Sequence, residues 1–411
     1  MNILNKKIDF SFLLKLSFWV DVLLVVYLVT ISVEIISNTV NPLLQNVSYL
    51  GFIFLSLLET KFRIKFKPFQ LQYGIFMAIA ALSFIWSING DNSLIILRYF
   101  IKMFVFCFFA VNYLNTNKDN ERFLFLIYLS IIICAAYVLI NSTPEDWLYQ
   151  RIGKAYGIDT VRLSFRMAVA SFIGFYLFDK NKNVIHLLIC IVLIALAFLM
   201  GKRTSLIFFI IAMLFYLFSK TKNVSERLKI IGISSIMVIV CLICIFTVPV
   251  FYETIGVRFE EFVGTMFLGD STDSSTLQRI ELMNYALDLF FENPLIGNGL
   301  NATRSYLETI NYSHVTYAHN NFLEIMSGLG VLGLVSYYSI YALPFIKYSK
   351  TKKTKNNIFL VALIAILFGM FICDFVQVSY ESYFELVLLA FLSNAIIDGI
   401  NKQEVSQEEN N

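Results

Sequence analysis

His319 opens the segment HNNFLEIMSGLGVLG, where one imidazole, Asn320, Asn321 and Glu324 precede an apolar run. Histidine is scarce here: only His186, His314 and His319 occur among 411 residues. The positive end of a helix dipole favours neutral imidazole, and neutral imidazole can take a proton from a hydroxyl. The alternative is an interfacial side chain that only hydrogen-bonds. Asn321 and Glu324 have capping-box spacing, so Glu324 is explained first as a helix-start residue. His186 and His314 fall at a span end and in a polar loop and suggest no chemistry.

The second group is cationic. Lys202 and Arg203 share the short turn GKRTS, which either touches lipid headgroups or binds an anion. Arg162 and Arg166 lie one helical turn apart and share a face, and Arg98 and Lys102 repeat that spacing. Ionisable groups inside a bilayer are costly and usually face a cavity. Arg279 and Arg151 lie in two longer loops. A pocket ringed by guanidinium groups suits a diphosphate, whose oxygens match paired N–H donors. Any single arginine could instead pair with Asp91, Asp159 or Glu281.

The elements that must carry these groups are membrane helices. The chain is 58% hydrophobic and 15% charged, against about a quarter charged in soluble domains. A bilayer core needs about 20 mostly apolar residues per helix. About twelve such stretches occur, near residues 14–36, 42–59, 69–88, 93–114, 122–141, 161–179, 184–201, 203–219, 229–252, 320–346, 357–374 and 382–399. Alternate loops differ sharply in basic residues. Lys61, Arg63, Lys65 and Lys67, or Lys347, Lys350, Lys352, Lys353 and Lys355, typify one set, while the other holds few cations. The positive-inside rule places the rich set and both termini in the cytoplasm. The first segment carries Lys15 and Asp21 and lacks a small-residue cleavage site, so it reads as an uncleaved span. No nucleic-acid partner is expected of a net charge of +3 arranged in this way.

The expected fold is an all-α polytopic membrane protein with one large structured extracytoplasmic loop. Its parts are N-terminal transmembrane helices (1–252), the loop (253–318), C-terminal transmembrane helices (319–400) and a cytoplasmic tail (401–411), the tail disordered. Within the loop, Ser275 and Gln278 fit a capping box, Ile280, Met283, Leu287 and Phe290 recur at helical spacing, and Pro294, Gly297 and Gly299 make a stop. That describes an amphipathic helix lying on the outer membrane face. Gly328-Leu-Gly330-Val-Leu-Gly333 matches G-x-G-x-x-G, yet inside an apolar helix it means close packing between helices. The six cysteines fall inside spans and imply no disulfide framework.

RIELMNYALDLFFENPLIGNGL followed by HNNFLEIMSGLGVLGL resembles the O-antigen ligase and Wzy-type polysaccharide polymerase superfamily. Arg279, Pro294, Gly297, Gly299, His319, Asn320, Leu323, Glu324, Gly330 and Gly333 fall on its pattern, and GKRTS places Arg203 on its arginine turn. A common N-P-N motif is absent at VRLSFRMAVASF, and Asn284 stands where a Trp is common. The resemblance implies a GT-C-like membrane glycosyltransferase, inverting and metal-independent, with no cofactor. It implies that His319 activates an acceptor hydroxyl while Arg203 and Arg279 bind the diphosphate of an undecaprenyl-diphosphate-linked oligosaccharide. Lys202, Arg166, Arg162 and Arg98 are the further diphosphate candidates, and Asn320 and Glu324 are substrate or helix-start residues. A polymerase in the bacterial cytoplasmic membrane is expected, working beside a flippase and a chain-length regulator. A ligase with another acceptor is the nearest alternative. A carrier would instead place its ionisable groups near the midplane and show repeat symmetry.

Overall fold

The computed structural model describes residues 15–33, 42–114, 117–143, 159–221, 223–247, 252, 256–257, 260, 264, 274–351 and 357–408. Arg151 and most of the first long loop lie outside the described residues. The helices are α1 (Leu16–Ser32), α2 (Pro42–Glu59), α3 (Pro68–Leu82), α4 (Gly90–Tyr113), α5 (Asn117–Asn141), α6 (Thr160–Asn181) and α7 (Val184–Leu199). They continue as α8 (Arg203–Lys220), α9 (Val224–Thr247), α10 (Ser274–Glu292), α11 (Ala302–Thr309), α12 (Asn321–Lys350), α13 (Ile358–Cys373) and α14 (Tyr383–Glu408). Each of the twelve apolar stretches carries one of these helices, and α10 and α11 lie between α9 and α12. Eight, namely α2 to α6, α8, α12 and α14, are long and apolar enough to cross a membrane; α1, α7 and α13 are shorter apolar helices. The chain is an all-α polytopic membrane protein.

Asparagine and aspartate start many of these helices. Side-chain oxygens of Asn89, Asp159, Asn183, Asn320 and Asn357 accept backbone N–H groups at the heads of α4, α6, α7, α12 and α13. Each satisfies donors that the first helical turn leaves free. α6 packs against α5, α7 and α8, and α14 packs against α4, α12 and α13. The apolar stretch of α14 is 94% buried, which makes it a central helix. Lipid tails are as apolar as these side chains, so close packing holds the bundle together. Phe76, Phe100, Tyr337 and Tyr380 interlock in this way between α3, α4, α12 and the turn before α14.

The two ends of the bundle differ. Lys67–Asp398, Lys180–Glu121 and Lys220–Asp179 pairs tie loops at one end. There Lys347 donates to Asn401 and Thr351 to Glu404, so the expected disordered tail is helical to Glu408. The other end gathers Asp159, Lys202, the residues before α12 and the turn between α13 and α14.

α12 is broken at Gly330, whose φ of 62° and ψ of −162° belong to no helix. That region is open essentially only to glycine. The freed carbonyls of Ser327 and Gly328 accept from Asn298 N at 3.0 Å and Gly299 N at 2.9 Å. The freed N–H groups of Val331 and Leu332 donate to the Pro294 and Leu295 carbonyls at 2.9 and 3.2 Å. The PLIGNG turn therefore replaces the missing helical bonds. It is anchored in turn by Trp86 Nε1 on the Gly297 carbonyl and by the Ser83 hydroxyl on Leu300 N. What the glycines admit is thus a loop backbone rather than a neighbouring helix, which corrects the sequence reading.

α10 also differs from expectation. It begins at Ser274, so Ser275 stands inside the first turn. Its buried residues are Leu282, Ala286 and Leu289, while Ile280 is exposed, because α12 is its packing partner.

A Cβ at Gly330 would lie 2.4 Å from Leu295 C, and one at Gly297 would lie 2.3 Å from Gly328 C. Gly330→Ala should therefore destabilise by about 2–5 kcal/mol, from forbidden backbone conformation plus overpacking. Gly74 has nothing within 4 Å of a Cβ, so Gly74→Ala should unfold at or slightly above the wild-type temperature. Thermal unfolding of the purified protein in detergent distinguishes them, and a wild-type midpoint for Gly330→Ala would show that the break is dispensable.

Candidate functional site

His319 is half-buried at the end of the loop leading into α12, with a left-handed φ of 55°. Such a conformation costs a non-glycine residue about 1–3 kcal/mol and persists only where neighbours impose it. Two contacts do so. Glu324, buried in the first turn of α12, accepts from Ala318 N at 2.7 Å, and Asn320 accepts from Leu323 N at 3.1 Å. The helix cap is therefore Asn320 rather than Asn321, and Glu324 reaches back to the loop that presents the imidazole. Asn320 also donates to the Phe375 carbonyl at 3.1 Å.

Asn321 has a different task. Fully buried, it accepts Ser379 N and Tyr380 N at 3.0 Å each and donates to the Tyr338 hydroxyl at 2.9 Å. Its own N–H bonds the Asp374 carbonyl at 2.8 Å. Asp374 is also fully buried and accepts from Ser379 Oγ at 2.6 Å and the Tyr338 hydroxyl at 3.0 Å. The head of α12 is in this way bonded to the turn that follows α13.

The imidazole lies 4.6 Å from the Tyr317 ring. Burial, then the Arg279 and Lys202 charges, push its pKa from 6.5 down to about 4. His319 is accordingly neutral at pH 7. Lys202, half-buried in the α7–α8 turn, donates to Gln377 Oε1 at 2.8 Å and lies 5.4 Å from the Phe165 ring. Burial lowers its pKa to about 8, with Glu385 opposing and Arg162 assisting. Arg162, Asp159, Glu381 and Arg279 act on the Tyr317 phenol, whose pKa is raised chiefly by burial. Helices α6, α8, α10 and α12 thus direct their ends at one region.

The predicted cations differ in depth and in partners. Arg203 is exposed as the first residue of α8, beside Lys202. Arg279 is exposed on α10, and Arg162 pairs with Asp159 at 3.4 Å. Arg166, one turn deeper, is 1% exposed; it donates to the Ile31 carbonyl at 2.6 Å and pairs with Glu385 at 3.7 Å. That guanidinium fastens α1, α6 and α14. Arg98 shares an exposed flank of α4 with Ile95 and Tyr99, the setting of a snorkelling cation. Lys102 turns instead to α2, at Asn46 and the Tyr49 ring.

Several neighbours were not singled out in the sequence. Tyr317 was visible in YAHNN. Gln377 and Glu381 sit in DFVQVSYESY, a turn without a cation and hence without the signal that marked the others. Arg304 acts on Glu324 and Tyr380 from α11.

Residues 188–338 match the family described as O-antigen ligase. The likeness to that family covers well under half of the chain. No curated protein matches the chain. The matched segment runs from α7 past the break in α12, and so contains Lys202, Arg203, Arg279, His319, Asn320 and Glu324. Arg98, Arg162 and Arg166 lie outside it.

Histidine-labelled NMR should find the His319 imidazole titrating near pH 4, and Arg279→Gln or Lys202→Gln should move its midpoint upward. An unchanged midpoint in both variants would mean that neither charge faces the ring. Because its folded pKa is depressed, stability should fall as pH drops through about 6.5 towards about 4, where the unfolded chain protonates first.

Proposed function

We propose that the protein polymerises lipid-linked oligosaccharide repeat units by inverting glycosyl transfer at the outer face of a bacterial cytoplasmic membrane. The supporting observation is a neutral imidazole within the field of Arg279 and Lys202, inside the matched segment. The cation-poor end of the bundle, where His319 lies, would face outward, and about twelve helices would cross with both termini cytoplasmic.

In this reading the acceptor hydroxyl gives its proton to His319 while its oxygen attacks the anomeric carbon of the donor. The bond from that carbon to the diphosphate oxygen breaks on the opposite side, and configuration inverts. The undecaprenyl diphosphate leaves with added negative charge, which Lys202 and Arg279 stabilise, with Arg203 and Arg162 close by. Fixed cations where charge develops lower the barrier without reorganising. Glu324 and Asn320 set the imidazole in place.

An imidazole titrating at about 4 is a weak base, chiefly through burial, but a bound diphosphate offsets the two charges that add to that effect. Its pKa must then rise, so the base strengthens when the donor is present.

His319→Ala should abolish polymer while the protein remains in the membrane; wild-type polymer from that variant would remove the base assignment. Lys202→Ala and Arg279→Ala should each lower donor use by at least ten-fold, and alanine variants as active as wild type would remove the clamp. In wild type, kcat/KM should rise with pH through about 4 and fall through about 8, as Lys202 loses its proton. The acid limb of kcat should lie higher than that of kcat/KM, and Lys202→Arg should shift the basic limb up. Purified protein with a lipid-linked repeat unit should give a product ladder. No reaction without a second acceptor would mean a ligase, and movement between leaflets without new bonds would mean a carrier.

A further inference from the structure

α10 presents three faces. Leu282, Ala286 and Leu289 are buried on the side that meets α12, and Leu277, Ile280 and Phe291 are exposed apolar residues on another side, with exposed Asn284 between them. Gln278, Glu281, Tyr285, Asp288 and Glu292 recur at three- and four-residue spacing and form a polar strip. Three tyrosines gather on that polar strip. Glu281, itself exposed, accepts from the Tyr285 hydroxyl at 3.0 Å and from the Tyr312 hydroxyl at 2.7 Å. The Tyr285 ring lies 5.7 Å from Tyr306, tilted 54°, and 6.0 Å from Tyr312, edge-on at 77°. All three tyrosines are half-buried, with part of each open to solvent, and they come from α10, α11 and the loop leading to His319.

The arrangement is neither core nor lipid anchor. A core would bury these rings, and an interfacial belt would place them with Leu277, Ile280 and Phe291 rather than on the polar strip. What remains is a rigid aromatic surface in water beside a carboxylate. Ring faces are electron-rich and attract the polarised C–H groups on the flat face of a pyranose. Tyrosine supplies such area at low entropic cost, more so with its hydroxyl already fixed. A carboxylate has about four acceptor sites, of which described residues take two, leaving others for sugar hydroxyls. Tyr312 stands seven residues before His319, at most about 25 Å of chain, so a glycan of a few sugars could span the two places.

We propose that Tyr285, Tyr306 and Tyr312, fixed around Glu281, form a glycan-binding platform that grips sugars remote from the reacting end. The choice of a carbohydrate ligand rests on the proposed function.

The test uses the full-length protein in lipid nanodiscs and, as probe, polysaccharide released by mild acid from cells expressing the wild type. Wild type should bind it, Tyr285→Ala and Tyr312→Ala should raise Kd at least ten-fold, and Tyr285→Trp should stay within three-fold. Equal binding by wild type and the alanine variants, or no binding by wild type, would overturn the platform. So would alanine variants that bind glycan normally but leave the membrane more readily, which would indicate lipid anchoring. Polymer production by His319→Ala, measured in parallel, judges the glycosyl-transfer reading separately: polymer made by that variant sinks the transfer chemistry while the binding data still decide the platform.

Discussion

A helix broken within a bilayer leaves carbonyls and amides that lipid cannot satisfy, each at a cost of several kcal/mol. In α12 the break at Gly330 is met by the backbone of residues 294–299, two carbonyls and two N–H groups at a time. Much else follows from this junction. The turn sits directly after α10 and just before α11, so fixing it to α12 also fixes both outer helices against the head of that helix. Arg279 and His319, forty residues apart in sequence, are brought into one field by bonds that neither of them makes.

Around His319, charge is deliberately one-sided in its effect. Burial and two neighbouring cations all disfavour a third positive charge, so the ring stays neutral. The buried Arg166–Glu385 pair a little deeper is of another kind. It is enclosed and joined to helix backbone, and removing one partner of such a pair leaves an uncompensated charge, at about 3–5 kcal/mol. The same residue type is therefore an enclosed fastening at Arg166 and, a single helical turn away, a half-exposed partner of Asp159 at Arg162.

The helical stretches were legible because each apolar run is long and each break is polar. His319 stands out in the sequence because histidine is rare and this one precedes a span. The break in α12 was not, since a glycine-spaced apolar helix has the same composition whether its close neighbour is a helix or a loop. Arg162 and Arg166 share a face by spacing, yet spacing gives no depth, and depth separates a half-exposed Arg162 from a buried Arg166. Capping-box spacing suggested Asn321 and Glu324, whereas one residue of phase gives the cap to Asn320 and frees Asn321 to bond the turn after α13. Such phase depends on tertiary partners that no local pattern records.

The partner of Lys202 is an amide. Gln377 satisfies the ammonium group's geometry with a dipole, where a carboxylate would also have cancelled its charge. Lys202 is therefore parked rather than wandering, held by a group that carries no charge of its own. In the proposed reading, a diphosphate would have only a neutral placeholder to displace from the ammonium group.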